Sequence, residues 1–202
     1  KLTVVYADGT TETRIFGEKV ETLPEGLTLN KTTLTASAKF GESTLDATKY
    51  PTAKTITATA TTQALTITGN DLDNIIKAGK GGDTLIGGKG SDTLYGGTGN
   101  DTFVYDGQGD DVINSYAVGK DTIKLSSVLK SAVKTDLSGS DVIFKVGSNI
   151  LTVKSAKGKK LTVVYADGTT ETRIFGEKGD TLPDGITLNS SKTTLTHHPS
   201  PL

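Results

Sequence analysis

An aspartate followed two residues later by an apolar side chain recurs along the middle of the chain. It occurs at Asp73, Asp83, Asp92, Asp101 and Asp111, at intervals of 10, 9, 9 and 10 residues. Carboxylate oxygens are the ligands that hard cations such as Ca2+ prefer, whereas zinc, copper and iron sites usually contain imidazole or thiolate groups. The chain has no cysteine and only two histidines. The repeated aspartates therefore predict the binding of a hard cation.

Glycine-rich loops precede most of these aspartates. Glycine permits positive φ angles and close approach of backbones, but it costs about 1 kcal/mol per position inside a helix. A nine-residue unit of this composition predicts a turn plus a short strand, with one apolar side chain in a narrow core. Stacking such units gives a parallel solenoid. The glycines of these loops are Gly79, Gly81, Gly88, Gly90, Gly97, Gly99, Gly107 and Gly109.

Two consecutive stretches, Gly87–Tyr95 and Gly96–Val104, match the pattern GGxGxDxUx, where U is apolar, at every defined position. The chain thereby resembles the RTX calcium-binding repeats. The resemblance implies a right-handed parallel β-roll in which two strands make one turn, so that loops about 18 residues apart stack on one edge. It also implies that Ca2+ lies between stacked loops, at metal sites formed by aspartate carboxylates and by carbonyl oxygens of the loops that contain the glycines named above. It further implies export in the unfolded state through a type I secretion channel.

Carried over to this sequence, the resemblance pairs Asp83 with Asp101 and Asp92 with Asp111 as two calcium sites. Carboxylates on stacked strands, about 4.8 Å apart, repel by about 3 kcal/mol at an effective dielectric constant near 20. We therefore expect the roll to close only around a cation. Two further candidate pairs have poorer loops: Asp73 with Asp92, and Asp101 with Asp121.

The apolar period continues upstream of the glycine-rich loops. It runs through Leu34, Leu45, Ile56, Leu65 and Ile75. The loops between these residues lack the metal pattern. We interpret them as metal-free turns of the same solenoid.

A second, longer repeat spans the chain. Residues 1–19 recur unchanged as residues 160–178, an offset of 160 − 1 = 159. This indicates one module followed by the opening of the next, as in an array. Each copy begins with a predicted hairpin around Asp8-Gly9 or Asp167-Gly168. The predicted organisation is a hairpin region at 1–30, a solenoid at 31–127 with calcium-binding turns at 69–125, a hairpin cap at 128–159, a second hairpin region at 160–196 and a disordered tail at 197–202.

Composition supports an all-β class and excludes other functions. Threonine alternates with apolar residues in stretches such as Thr55–Thr59, which is typical of strands. The net charge of −1 gives no basic footprint for nucleic acid. No apolar run reaches the roughly 18 residues of a membrane span. The glycine-rich loops lack the third glycine of the nucleotide-binding pattern GxGxxG, because Thr93 and Thr102 occupy that position. No residue set for catalysis is evident in the sequence, so we do not expect an enzyme.

Two functions remain open. The first is a calcium-binding structural or interaction module of a repetitive secreted or cell-surface bacterial protein, such as an adhesin, a surface layer or a filament, whose partners include Ca2+ and further copies of the module, end to end. The second is a noncatalytic secretion module of an RTX enzyme whose catalytic domain lies outside this chain. The 159-residue duplication favours the first.

Overall fold

The fold is described by a computed structural model, which covers residues 2–5, 11–14 and 23–175. The Asp8-Gly9 turn, the second copy beyond Phe175 and the tail at 197–202 lie outside the described residues. The part of the chain that the structure describes contains no helix long and apolar enough to cross a membrane.

Short strands make up nearly all of the regular structure. Two single 3-10 turns, Ala47–Lys49 and Lys130–Ala132, are the exceptions among the described residues. In chain order the strands are β1 Leu2–Val5, β2 Thr11–Arg14, β3 Leu27–Asn30, β4 Thr33–Ala36, β5 Thr44–Asp46, β6 Thr55–Thr57, β7 Thr66–Thr68, β8 Ile75–Lys77, β9 Thr84–Ile86, β10 Thr93–Tyr95, β11 Thr102–Tyr105, β12 Asp111–Ser115, β13 Thr122–Leu125, β14 Lys134–Ser138, β15 Asp141–Val146, β16 Asn149–Val153, β17 Lys160–Tyr165 and β18 Thr170–Ile174.

The central part is a parallel solenoid of about five turns, with antiparallel strands at its ends. From β4 to β13 the even-numbered strands lie in one sheet, which we call the first sheet, and the odd-numbered strands lie in the other, the second sheet. Each strand from β4 to β11 pairs in parallel with the strand two further along the chain. The all-β solenoid predicted from the sequence is confirmed.

The centre of the core is formed by the inward apolar side chains of the two sheets. Because successive residues of a strand point to opposite faces, a three-residue strand contributes only its middle side chain. These side chains are at most 1% exposed. They are Leu34, Leu45, Ile56, Ile67, Ile76, Leu85, Leu94, Phe103, Ile113 and Ile123.

One of the predicted core positions is wrong by one residue. Ile75 is 42% exposed, and Ile76 takes its place in the core. Leu65 is buried but precedes strand β7, whose inward residue is Ile67. The corrected core residues are spaced by 11 residues as far as Ile67 and by 9 or 10 beyond it. The turns therefore shorten where the glycine-rich repeats begin.

The register of the second sheet aligns five threonines on its outer face. Thr44 pairs with Thr66, Thr66 with Thr84, Thr84 with Thr102, and Thr102 with Thr122. β-Branched residues suit such a pleated, half-exposed surface. Since each of the last three threonines directly follows an aspartate, this register also stacks Asp83, Asp101 and Asp121.

Antiparallel hairpins extend both sheets at the C-terminal end. Strands β15 and β16 form the predicted hairpin around the two-residue turn Gly147-Ser148, with Gly147 at φ +62°. Strand β16 pairs in parallel with β12. Strand β17, the first strand of the second copy, pairs in parallel with β13 and in antiparallel with β18. Both sheets of the solenoid therefore continue past β13 into the hairpins.

Candidate metal centre

The turns that precede the strands stack in two columns, one on each edge of the solenoid. The Asp101 column is the set of turns that end at Leu65, Asp83, Asp101 and Asp121, ahead of strands of the second sheet. The Asp92 column is the set that ends at Asn74, Asp92 and Asp111, ahead of strands of the first sheet. The parallel register fixes this stacking, since Thr84 lies beside Thr102 and Ile75 lies beside Thr93.

In the Asp101 column, each aspartate side chain accepts a hydrogen bond from the backbone of the preceding turn in the column. The backbone N–H of Asp83 donates to Oδ1 of Asp101 at 2.8 Å, and the N–H of Asp101 donates to Oδ1 of Asp121 at 3.0 Å. At the N-terminal end of the column, the N–H of Leu65 donates to Oδ1 of Asp83 at 2.7 Å. The column is thus a chain of side-chain-to-backbone hydrogen bonds.

The Asp92 column repeats this arrangement. The N–H of Asn74 donates to Oδ1 of Asp92 at 2.7 Å, and the N–H of Asp92 donates to Oδ1 of Asp111 at 2.9 Å. The two predicted pairs, Asp83 with Asp101 and Asp92 with Asp111, are therefore brought together. The structure also brings Asp101 to Asp121, the weaker predicted pair.

The second carboxylate oxygens differ in their partners. Oδ2 of Asp83 accepts from the N–H of Gly79 at 3.1 Å, and Oδ2 of Asp121 accepts from the N–H of Ala117 at 2.7 Å. Oδ2 of Asp92 is fully buried and has no hydrogen-bond partner among the described residues. A buried, unpaired carboxylate oxygen is costly, and a cation in the turn would satisfy it.

All five aspartates of the two columns are buried, with 1–3% of their surface exposed. None of them forms an ion pair with a lysine or arginine among the described residues. Burial raises the pKa of Asp92 and of Asp101 to about 6 and that of Asp111 to about 7, while backbone hydrogen bonds oppose the shift and neighbouring carboxylates add to it. Burial also raises the pKa of Asp83. The columns therefore concentrate negative charge that no described side chain neutralises.

The predicted glycines are placed where stacked backbones come closest. A Cβ atom at Gly97 would overlap the carbonyl oxygen of Gly79, and one at Gly99 would overlap that of Gly81. Gly109 approaches the carbonyl of Gly90 in the same way. Close approach between turns therefore requires glycine at these positions. Further Cβ atoms would lie 2.7 Å from Asn70 O at Gly88, 2.8 Å from Leu72 O at Gly90, 2.5 Å from Thr61 O at Gly79, and against Gln63 O at Gly81.

Gly107 is the exception among the predicted glycines. A Cβ atom there would meet only side-chain atoms, the nearest being Cγ1 of Val146 at 3.2 Å. Its φ of +85° explains the glycine instead, because L-residues rarely adopt that conformation.

The donor set of the columns suits calcium rather than a transition metal. No group of three or more His, Cys, Asp or Glu side chains converges anywhere in the described ranges. A cation in these turns would therefore take most of its ligands from backbone carbonyls, with one or two carboxylates. Ca2+ accepts such all-oxygen sets of six to eight ligands.

The predicted alignment of Asp73 with the other aspartates is out of register by one residue. Leu94 pairs with Ile76, so Asn74 and not Asp73 is the counterpart of Asp92. Asn74 is buried, whereas Asp73 is exposed and accepts from the N–H of Ser91 at 2.8 Å. Asp73 therefore lies one residue before the buried position.

Carboxamide side chains join the turns that lack paired aspartates, which the sequence analysis missed. Nε2 of Gln63 donates to the carbonyls of Phe40 at 3.0 Å and Glu42 at 2.8 Å. Nδ2 of Asn70 donates to the carbonyls of Tyr50 at 3.0 Å and Ala53 at 2.8 Å. These amide groups supply positive partial charge to inward carbonyls, as a cation would. The available signal in the sequence was an amide residue, Gln63 or Asn70, in a loop that precedes the first buried aspartate, Asp83.

An amide also ends the Asp92 column at its C-terminal side. Nδ2 of Asn149 donates to the carbonyl of Gly107 at 2.7 Å, and the N–H of Ile150 donates to Oδ1 of Asp110 at 2.9 Å. The β15–β16 hairpin therefore presents donors, not acceptors, to the last turn. The aspartate-paired turns are bounded on both sides of this column by amide-joined turns.

Comparison with known proteins agrees with this geometry. The family model of the RTX calcium-binding nonapeptide repeat matches residues 68–103, where it finds four copies. No curated protein matches the chain significantly. The matched segment contains the turns of Asp83, Asp92 and Asp101, and Ca2+ is the ion that these repeats bind. The middle of this solenoid is thus built from RTX calcium-binding nonapeptide repeats, as the sequence predicted.

Proposed function

We propose that the chain is a calcium-binding structural and interaction module of a repetitive secreted or cell-surface bacterial protein, such as an adhesin, a surface layer or an extracellular filament. One observation carries the proposal: the first strand of the second sequence copy, β17, continues the sheet of the first copy by pairing with β13. A repeat whose next copy completes its own sheet is suited to a continuous array.

The calcium sites of the proposal lie between paired aspartates. They are the gaps between Asp83 and Asp101 and between Asp101 and Asp121 in one column, and between Asp92 and Asp111 in the other. The carboxylates would supply charge, and loop carbonyls would complete the ligand set. Bound Ca2+ would neutralise carboxylates that the fold otherwise buries without a counter-ion. Asp73 and Asn74 lie at the edge of this set, where one carboxylate is missing.

The energetics make calcium a folding switch. Free Ca2+ at about tenfold its dissociation constant stabilises the folded state by about 1.4 kcal/mol per site. Three sites would contribute about 4 kcal/mol, against a total stability of about 5–15 kcal/mol for a typical domain. Extracellular calcium modules have dissociation constants of about 0.1–1 mM. The same chain would be poorly stabilised where calcium is scarce and folded outside the cell, which fits a secreted protein.

Hydrogen exchange tests the proposal on the intact chain. In calcium, we expect the amides of β17 to be protected to the same degree as those of β13, and both to exchange rapidly in a chelator or in magnesium. Rapid exchange of β17 beside a protected β13 would remove the support for an array module. It would favour the alternative, a secretion module of an RTX enzyme with its catalytic domain elsewhere. Equal exchange with and without calcium would contradict both.

A further inference from the structure

Strands β17 and β18, which we call the closing hairpin, belong to the second sequence copy but complete the core of the first. Val163 pairs with Ile123 and Tyr165 with Leu125 in the parallel ladder. Leu161, Val163 and Tyr165 point into the core and are 0–3% exposed. The solenoid of the first copy is therefore closed by residues of the next copy.

Contacts beyond the ladder join the closing hairpin to the first copy. The N–H of Thr162 donates to the hydroxyl of Tyr116 at 2.9 Å, and the N–H of Ala166 donates to the carbonyl of Val128 at 3.0 Å. The ring of Phe175 packs edge-on against Phe144, with the ring centroids 5.3 Å apart. Specific side-chain and backbone contacts therefore hold the closing hairpin against the first copy.

The same hairpin sequence occurs again at the start of the chain. Residues 1–19 are identical to residues 160–178. Strands β1 and β2, which we call the opening hairpin, pair Leu2 with Arg14 and Val4 with Glu12. The closing hairpin pairs the equivalent residues, each 159 positions later, in the same register. Among the described residues, β1 and β2 pair only with each other.

We propose that the opening hairpin is a closing hairpin for another copy: when residues 160–175 leave their place along the edge of β13, the opening hairpin of a second copy of this chain binds there. The inference rests on the proposed function and deepens it by naming the partner and the contact. In an array, the hairpin that opens one sequence copy then closes the solenoid of the preceding copy, so neighbouring units are joined through a shared hairpin.

The exact duplication supplies matched variants for a test in the full chain, with calcium present throughout. Val163→Asp places a charge at a fully buried position and should displace the closing hairpin. Val4→Asp is the same change in the opening hairpin. The molar mass of each variant is measured by sedimentation equilibrium over a concentration series.

We expect wild type and V4D to be monomers, because the closing hairpin of the same chain fills the site. V163D should form dimers and larger species as concentration rises, since the intact opening hairpin of another molecule takes the free edge. The double variant V4D/V163D should be monomeric. If V163D and V4D/V163D have the same mass distribution, the inference is wrong.

A disulfide trap provides a second test. If calcium no longer induces β structure in V163D, the variant V163A, which removes only apolar volume, replaces it. Lys124 pairs with Val164, and Val5 is the equivalent of Val164 in the opening hairpin. Adjacent parallel strands lie about 4.8 Å apart, within the range for a disulfide. In the V163D or V163A background, the variant K124C/V5C should form a disulfide between two chains. Any disulfide must join these two introduced cysteines, because wild type has none. A disulfide within one chain, or none, would overturn the intermolecular assignment.

The calcium response separates this inference from the proposed function. V4D should gain β structure on calcium addition to the same extent as wild type. If wild type itself does not respond to calcium, the proposed function fails. If wild type responds and only the expected mass pattern is absent, the hairpin exchange alone fails.

Discussion

The carboxylate of Asp111 accepts a hydrogen bond from the backbone N–H of Asp92 at 2.9 Å, and so ties two turns that lie 19 residues apart in sequence. Asp92 binds the turn of Asn74 in the same way at 2.7 Å. One oxygen of each carboxylate therefore holds the stack of turns together, and the second oxygen of Asp92, which has no hydrogen-bond partner, is available to a cation. Because these two roles use different atoms, they can be separated by experiment.

The first prediction separates charge from hydrogen bonding at Asp92. Asp92→Asn keeps an oxygen that can accept from Asn74, as Asn74 itself accepts from the N–H of Asn70 at 2.8 Å. We expect unchanged or higher stability without calcium, because a buried charge is removed. In calcium, the free energy of unfolding should fall by about 1.4–3 kcal/mol relative to wild type, as one or two sites weaken.

Urea unfolding with and without calcium measures both effects. Asp71→Asn is the matched control, because Asp71 is exposed and its ion pair with Lys89 lies at the surface. That control should retain the full calcium stabilisation. If D92N also retains it, Asp92 is not a calcium ligand.

The second prediction concerns pH in the absence of calcium. Asp carboxyls in an unfolded chain have a pKa of about 3.9, whereas folding raises the pKa of Asp92 and Asp101 to about 6 and that of Asp111 to about 7. The contribution of these groups to stability is present below about pH 4 and is lost as pH rises through 6 to 7. The metal-free protein should therefore unfold less readily in urea at pH 5 than at pH 8.

Calcium should reverse this dependence, because it binds the ionised carboxylates. Unfolding midpoints from pH 4.5 to 8, in calcium-free and calcium-containing buffer, give the two profiles. A metal-free protein that loses stability on acidification across this range would show that the column carboxylates are not the groups that control it.

The third prediction tests the contact between glycines of stacked turns. Gly99→Ala places a methyl group against the carbonyl of Gly81, so the backbone of one turn must shift. We expect a loss of about 1–3 kcal/mol in the free energy of unfolding and a higher calcium concentration at the folding midpoint. Gly41→Ala is the control, since nothing lies within 4 Å of its added Cβ. Equal effects of the two variants, measured by urea unfolding in calcium, would contradict the close stacking of the turns.

The fourth prediction tests the amide-joined turns. Asn70 is buried and donates to two carbonyls of the preceding turn. Asn70→Ala should lower stability by about 1–3 kcal/mol, because those carbonyls lose their donor. The loss should be the same in calcium and in chelator, unlike that of D92N. Asn100→Ala, at an exposed position in a turn, should change stability little. A loss for N70A that calcium abolishes would mean that a cation, not the amide, joins these turns.

The resemblance to the RTX repeats implied the aspartate pairs, and parallel stacking brings these residues, 18 or 19 positions apart in sequence, into contact. Spacing could not choose between Asp73 and Asn74, since both are polar and each is followed two residues later by an isoleucine. The choice depends on the neighbouring strand, where Leu94 pairs with Ile76. For the same reason the sequence did not show that Ile67, and not the buried Leu65 before it, is the inward residue of strand β7.

The carbonyl partners of the amides and the place where the closing hairpin binds were beyond sequence reasoning for a different reason. The partners of Asn70 and Gln63 are backbone carbonyls, which carry no residue-specific signal. The pairing of β17 with β13 joins residues 40 positions apart across an intervening hairpin, as in the pair Ile123 and Val163. The 159-residue duplication marked where the second hairpin begins but not where it binds.

An anomalous difference map from crystals grown in calcium tests the central claim most directly. The account predicts cation peaks between the turns of Asp83 and Asp101 and between those of Asp92 and Asp111. It predicts none in the gap where Asn70 donates to the carbonyls of Tyr50 and Ala53. Turns that remain stacked without a peak at either aspartate pair, or a peak at the amide-joined gap alone, would contradict it.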